Sequence, residues 1–137
     1  MGAAWVGAAH AAEALALAGS RAFAARLRDQ SLACAARSQG VFLSVETLLA
    51  AAETSSLLGQ EAAVQTFAER AYELALRYSH REDAWHAALL IGFKRSGHTA
   101  AALAAEIHKL WGDTLWNSYC SRPDRSVRIQ QFEKEKS

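Results

Sequence analysis

A chain of 137 residues can close one core without disulfide or metal staples. Its 15 Lys and Arg against 14 Asp and Glu leave a formal charge of +1, which excludes the strongly basic footprint of a nucleic-acid binder. No uncharged run approaches the ~20 residues of a membrane span, and two cysteines, Cys34 and Cys120, are too few for a disulfide framework.

The chain holds 31 alanines, all before position 106, and its single proline is Pro123. Alanine orders into a helix without losing side-chain entropy, and the few β-branched residues give a sheet little to use. The expected class is all-α. The apolar opening to Gly19 has a leader's small residues but lacks a basic start and is interrupted by His10 and Glu13. It is therefore read as a helix of an intracellular, cytoplasmic protein. Cys34, in an alanine-rich run, reads as a buried reduced thiol.

A first helix is predicted over about 3–18, with Trp5, Ala8, Ala9, Ala12 and Ala16 on one stripe and Gly19 as its stop. Ser20 is placed to cap a second helix, about 21–37. That helix carries Phe23, Leu27, Ser31 and Cys34 on one face, with Arg21, Arg28, Asp29 and Arg37 on the polar side, and ends at Gln39-Gly40. A third, about 42–58, spaces Phe42, Val45, Leu49 and Ala52 along a core face and closes at Gly59. The fourth, about 60–78, aligns Phe67, Ala71, Leu74, Ala75 and Tyr78, with Glu73 and Arg77 on the wet side.

Ser79 and Glu82 have capping-box spacing at the head of a fifth helix. Trp85, Ala88, Leu89, Gly92 and Phe93 follow as its core stripe, with Gly97 as its stop after Lys94 and Arg95. A sixth helix from about 99 aligns Leu103, Ile107, Leu110 and Trp111. A short turn follows over Asp113–Tyr119, then Pro123 and a charged segment from Arg125 onward. Residues 1–119 thus read as one helical domain, and 120–137 as a charged tail or short capping helix.

Links this short force neighbouring helices to run antiparallel. Gly19, Gly59 and Gly97 would each join the two helices of a pair, 40 and then 38 residues apart, a spacing in the range of helical-repeat arrays. A helical bundle with extra helices is the structural alternative.

The segment 84–103, AWHAALLIGFKRSGHTAAAL, resembles a tetratricopeptide-type repeat, with Leu89, Phe93, Gly97 and Ala102 at that family's apolar, turn-glycine and small-residue positions. Residues 48–76 are similar through Leu48, Gly59, Ala68 and Ala71. Glu106 and Lys109 depart from the pattern, as does the lack of proline at the repeat ends. The resemblance implies a superhelix of α-hairpins acting as a protein–protein interaction module or scaffold. The same segments are similar to the tetratricopeptide-like tails of large bacterial transcriptional regulators, which implies sensing or assembly through protein contacts rather than DNA reading.

Candidate chemistry is sparse. GxSxG, P-loop and GxGxxG patterns are absent. His80 and His86 are six positions apart, about 120° from facing each other on a helix, and neither HExxH nor paired Glu-x-x-His occurs. No catalytic residue, metal or cofactor is therefore expected. The competing reading is a helical bundle holding a small ligand or haem through His80 or His86.

Two surfaces stand out as partner sites. Glu13, Glu53, Lys94 and Arg95 fall toward a groove lined by the first helix of each pair, where charges would read a peptide. Leu110, Trp111, Leu115 and Trp116 gather two large aromatics near the C-terminal end, as a cover for the last hairpin or an anchor for a partner. The expected partner is another protein, a peptide segment or a second copy of the chain, with no nucleic acid or membrane. Phe93 is expected in the core.

Overall fold

A computed structural model describes residues 4–37 and 41–136, with side chains over 5–37, 44–92 and 99–135. It is all-α. The described residues form helices α1 (Ala4–Leu17), α2 (Arg21–Ala36), α3 (Val41–Leu57), α4 (Glu61–Arg77), α5 (Arg81–Ile91), α6 (Phe93–Trp111), α7 (Asp113–Cys120) and α8 (Pro123–Lys136). No described helix is long and apolar enough to cross a membrane.

Three of the links are copies of one device. Gly19 (φ 91°), Gly59 (φ 73°) and Ser79 (φ 60°) each take the left-handed conformation just past a helix end. Each donates to a carbonyl three residues back, and the next residue donates five back: Ser20 to Leu15, Gln60 to Ser55 and His80 to Ala75, at 2.8–2.9 Å. This double bond pattern satisfies carbonyls that a helix C-terminus leaves open. It turns the chain within three residues, so α2 folds back on α1, α4 on α3 and α5 on α4. Arg21, the first residue of α2, donates to the Leu58 carbonyl at 2.6 Å. The Gly19 and Gly59 links therefore lie at the same end, and α1 and α3 run side by side in the same direction.

Helix α3 is the central element. From Val45 to Ser55 every side chain is buried except those of Glu46 and Glu53, and a helix apolar on nearly all sides needs neighbours all round. It has them in α1, α2, α4 and α5. Its buried hydroxyls are satisfied within the helix, Thr54 donating to the Ala50 carbonyl at 2.9 Å and Ser55 to Ala51 at 2.8 Å. Val45, Leu48, Leu49 and Ala52 join Val64, Ala68, Ala71, Trp85, Leu89, Leu103, Ile107 and Phe132 in one core.

Several local expectations are corrected. Gly97 does not end a helix but lies within α6. The break comes at Gly92, whose φ of 84° with ψ of 163° is open essentially to glycine alone. With that turn made, Gly97 merely weakens a helix interior, by about 1 kcal/mol. Ser20 makes no side-chain cap bond to α2, its backbone being engaged in the link. The Ser79–Glu82 capping box does not form, because Ser79 terminates α4 and His80 occupies the N-cap of α5 without a side-chain bond.

The register of α2 is shifted by one residue. Phe23 is exposed at 53%, and Ala24, Arg28, Ser31 and Ala35 are the buried positions. Arg28, placed on the polar side by sequence, is buried because its guanidinium reaches Ser55 Oγ at 3.0 Å and Gln60 Oε1 at 2.5 Å. It also lies 5.9 Å from the centre of the Phe67 ring. Cys34 is half-buried and free. Gln39 and Gly40, and the side chains of Phe42, Phe93, Lys94, Arg95 and His98, lie outside the described residues.

The C-terminal segment is helical from Pro123, a residue suited to a first helical position because its missing N–H would have no partner there. Phe132 of α8 is 1% exposed and meets Trp85 edge-on at 5.0 Å.

Candidate functional site

The ionisable residues of α1 and α3 are few and stand one or two turns apart. His10 and Glu13 interrupt the apolar run of α1, and Glu46 and Glu53 are the sole charges of α3. Both pairs face a cleft of about 330 Å³, completed by Asp83 and His86 of α5 and by Asp124 and Arg125 of α8. Leu49 and Ala50 form its apolar part. Residues of α1, α3, α5 and α8 line this cleft, and both Glu13 and Glu53 face it.

A chain of polar contacts crosses this cleft. Glu53 Oε1 lies 2.9 Å from His86 Nε2, and Glu53 Oε2 accepts from Arg128 at 2.6 Å. His86 Nδ1 lies 3.1 Å from Arg125, whose Nε donates to the Tyr119 hydroxyl at 3.2 Å. On the near rim His10 faces Glu46 at 3.2 Å. Five carboxylates line the cleft, against Arg125 and the two histidines.

The carboxylates respond to this crowding in opposite directions. Burial works to raise the Glu53 pKa, but the hydrogen bond from His86 and the charges of Arg128, His86 and Arg125 outweigh it and hold Glu53 below its ordinary value. Glu13 is pushed up, first by burial and then by Glu53, against smaller opposing effects of His10, Arg128 and Arg125. Burial likewise raises Asp83, with His80 opposing.

The aromatic surface is assembled as well. Trp116 stacks on His108 at 5.3 Å and on Tyr119 at 5.8 Å, and Trp111 meets Tyr119 edge-on at 5.3 Å. Trp116 also lies 6.3 Å from the buried Trp85, so these rings close the end of the core. Beyond them Leu110 and Leu115 are 69% and 61% exposed. A second, mainly apolar cleft of about 390 Å³ lies between Glu82, Trp111, Leu115, Ser118, Tyr119 and Arg122.

Sequence reasoning placed Glu13 and Glu53 in the groove but missed His10, Glu46, Asp83, His86, Arg125 and Arg128. The available signal was the recurrence of two ionisable residues one or two turns apart on otherwise apolar helices. The side chains of Lys94 and Arg95 lie outside the described residues. Among the described residues, no three His, Cys, Asp or Glu are grouped so as to hold a metal ion. His10, His80, His86 and His108 each face a carboxylate instead.

No protein-family model, curated protein or solved structure matches this chain.

Proposed function

We propose that this chain is a protein-interaction module that holds a basic segment of another protein in the cleft between α1, α3 and α5. The observation that carries the reading is the cleft itself, in which carboxylates outnumber cations. A basic segment laid into such a groove would set its cations against the acids. The rim charges would govern encounter and selectivity more than raw affinity. A tetratricopeptide-like hairpin array belongs to the same proposal, supported by the identical links at Gly19 and Gly59 and by the parallel course of α1 and α3.

A helical peptide with two arginines one turn apart, read by fluorescence anisotropy, tests this. It should bind, lose roughly tenfold in affinity when Glu13→Gln and Glu46→Gln are combined, and weaken with added salt. A peptide with glutamates in place of the arginines should bind far more weakly. If neither peptide binds, the reading falls.

Leu110 and Leu115 favour a second reading, self-association through the aromatic end. Large apolar side chains left exposed at the end of α6 and the start of α7, the second beside the apolar cleft, are a feature of contact surfaces. Light scattering across a concentration series should show a dimer that Leu110→Ser with Leu115→Ser abolishes, and a monomer throughout would end this reading.

A further inference from the structure

We propose that His86 is a proton-operated latch that holds the first turn of α8 across the cleft through Arg125 and loosens it on acidification. This rests on the cleft reading only for what the release serves, namely clearing Arg125 from the groove.

The two neighbours of the His86 ring suit one tautomer of its neutral form. On one side stands Glu53 Oε1 at 2.9 Å, and a carboxylate only accepts. On the other stands an Arg125 terminal nitrogen at 3.1 Å, and a guanidinium only donates. Both contacts are satisfied by a single form, the neutral ring with its hydrogen on Nε2 and a bare Nδ1. A second proton must go to Nδ1, so two donors and two positive charges would then face each other across 3.1 Å.

The surrounding groups decide which side yields. Glu53 of α3 is bound more tightly by an imidazolium than by a neutral ring, so that contact strengthens. Glu46 of α3, Asp83 on α5 itself and Glu13 of α1 also favour the added charge, while His10 of α1 opposes it once protonated. From α8, Arg125 and Arg128 oppose it and Asp124 favours it. From α7, Tyr119 bears only on Arg125. Carboxylates thus stabilise the new cation where it stands, and Arg125 is the group that must move. It retains Tyr119 at 3.2 Å and Asp124 at 3.6 Å as alternative partners outside the latch. Arg128, 2.6 Å from Glu53, and Phe132, 1% exposed against Trp85, anchor α8 from its second turn onward, so loosening is confined to the first.

Hydrogen exchange of the amides of residues 124–127, corrected for intrinsic rates, tests the latch at pH 8.0 and pH 5.5. Protection should fall about tenfold on acidification, the equivalent of one charge-assisted hydrogen bond. His86→Gln, which stays neutral, should remove that pH dependence. An unchanged wild type, or an equal fall in His86→Gln, overturns the proposal. A measurement without substitution stands beside it: the ¹⁵N shifts of the His86 ring should report a protonated Nε2 and a bare Nδ1 at pH 8.0, and the opposite tautomer would refute the latch. Neither readout uses a partner, so failure of the arginine peptide to bind would sink the cleft reading while leaving these outcomes untouched.

Discussion

The Arg128 guanidinium donates to the Glu53 carboxylate at 2.6 Å across 75 positions of sequence, tying the C-terminal helix to the central one. His86 holds the other oxygen of the same carboxylate at 2.9 Å, so Glu53 is clamped on both sides while Glu13 is crowded by it.

The two glutamates should therefore answer to pH with opposite signs. Glu53 is depressed in the folded state, so its stabilisation is present above the ordinary value of 4.5 and is lost as pH falls through the folded value. Glu53→Gln should destabilise the protein by about 1–3 kcal/mol at pH 7, with the difference shrinking below pH 4.5. Glu13 is raised, so its contribution is full below 4.5 and is lost as pH rises through the folded value. Glu13→Gln should stabilise by up to about 1 kcal/mol at pH 7, and this gain should vanish in acid. Urea melts of both variants at pH 7 and pH 4 check the signs.

Arg28 should matter for stability in spite of its charge. Its guanidinium joins α2 to Ser55 of α3 and to Gln60 of the following link, and its stem packs in the interior. Arg28→Ala should cost about 2–4 kcal/mol through lost packing and lost hydrogen bonds. Arg26→Ala, one turn face away and exposed, should fall within about 0.5 kcal/mol of wild type. Equal denaturation midpoints for the two variants would contradict the placement of α2.

Helix positions were legible wherever alanine runs met glycine, as in α1 to α4, because propensity and punctuation pointed the same way. The register of α2 was not, since Phe23 is the hydrophobic choice while Arg28 is the buried one, and only a tertiary partner such as Ser55 makes that burial tolerable. Gly97 misled for a related reason. A glycine is a permitted stop, but Gly92 makes the turn that is used, and sequence does not rank two glycines five residues apart. Of the candidate site only Glu13 and Glu53 were readable. Arg125 and Arg128 were hidden because a polar segment after a proline carries no sign of where it docks. What fixes it is Phe132, the buried apolar residue of a mostly polar helix, with Ile129 packed beside the same core.

Ser79 stands where the two equivalent links carry glycine, and its φ of 60° strains an L-residue. Ser79→Gly should raise stability by about 0.5–1 kcal/mol, because it removes that strain while the link keeps its backbone bonds. Gly59→Ser, the reverse exchange, should lower stability by a similar amount. Thermal melts of the two variants should move in opposite directions, and movement in the same direction would refute the equivalence of the links.

The last prediction concerns how α8 is held. Phe132 and Trp85 meet edge-on at 5.0 Å, with Phe132 1% exposed, so the ring is both a packing unit and the fixed end of the helix. Phe132→Ala should cost about 3–5 kcal/mol if the cavity stays open. The loss should also be directional: hydrogen exchange across α8 should quicken more than that of α3, whose neighbours α1, α2 and α4 are untouched. Phe132→Leu, which refills most of the volume, should recover much of the stability. Should α8 exchange as fast in wild type as in Phe132→Ala, the helix is not anchored through this ring, and the polar contacts of Arg125 and Arg128 would have to hold it.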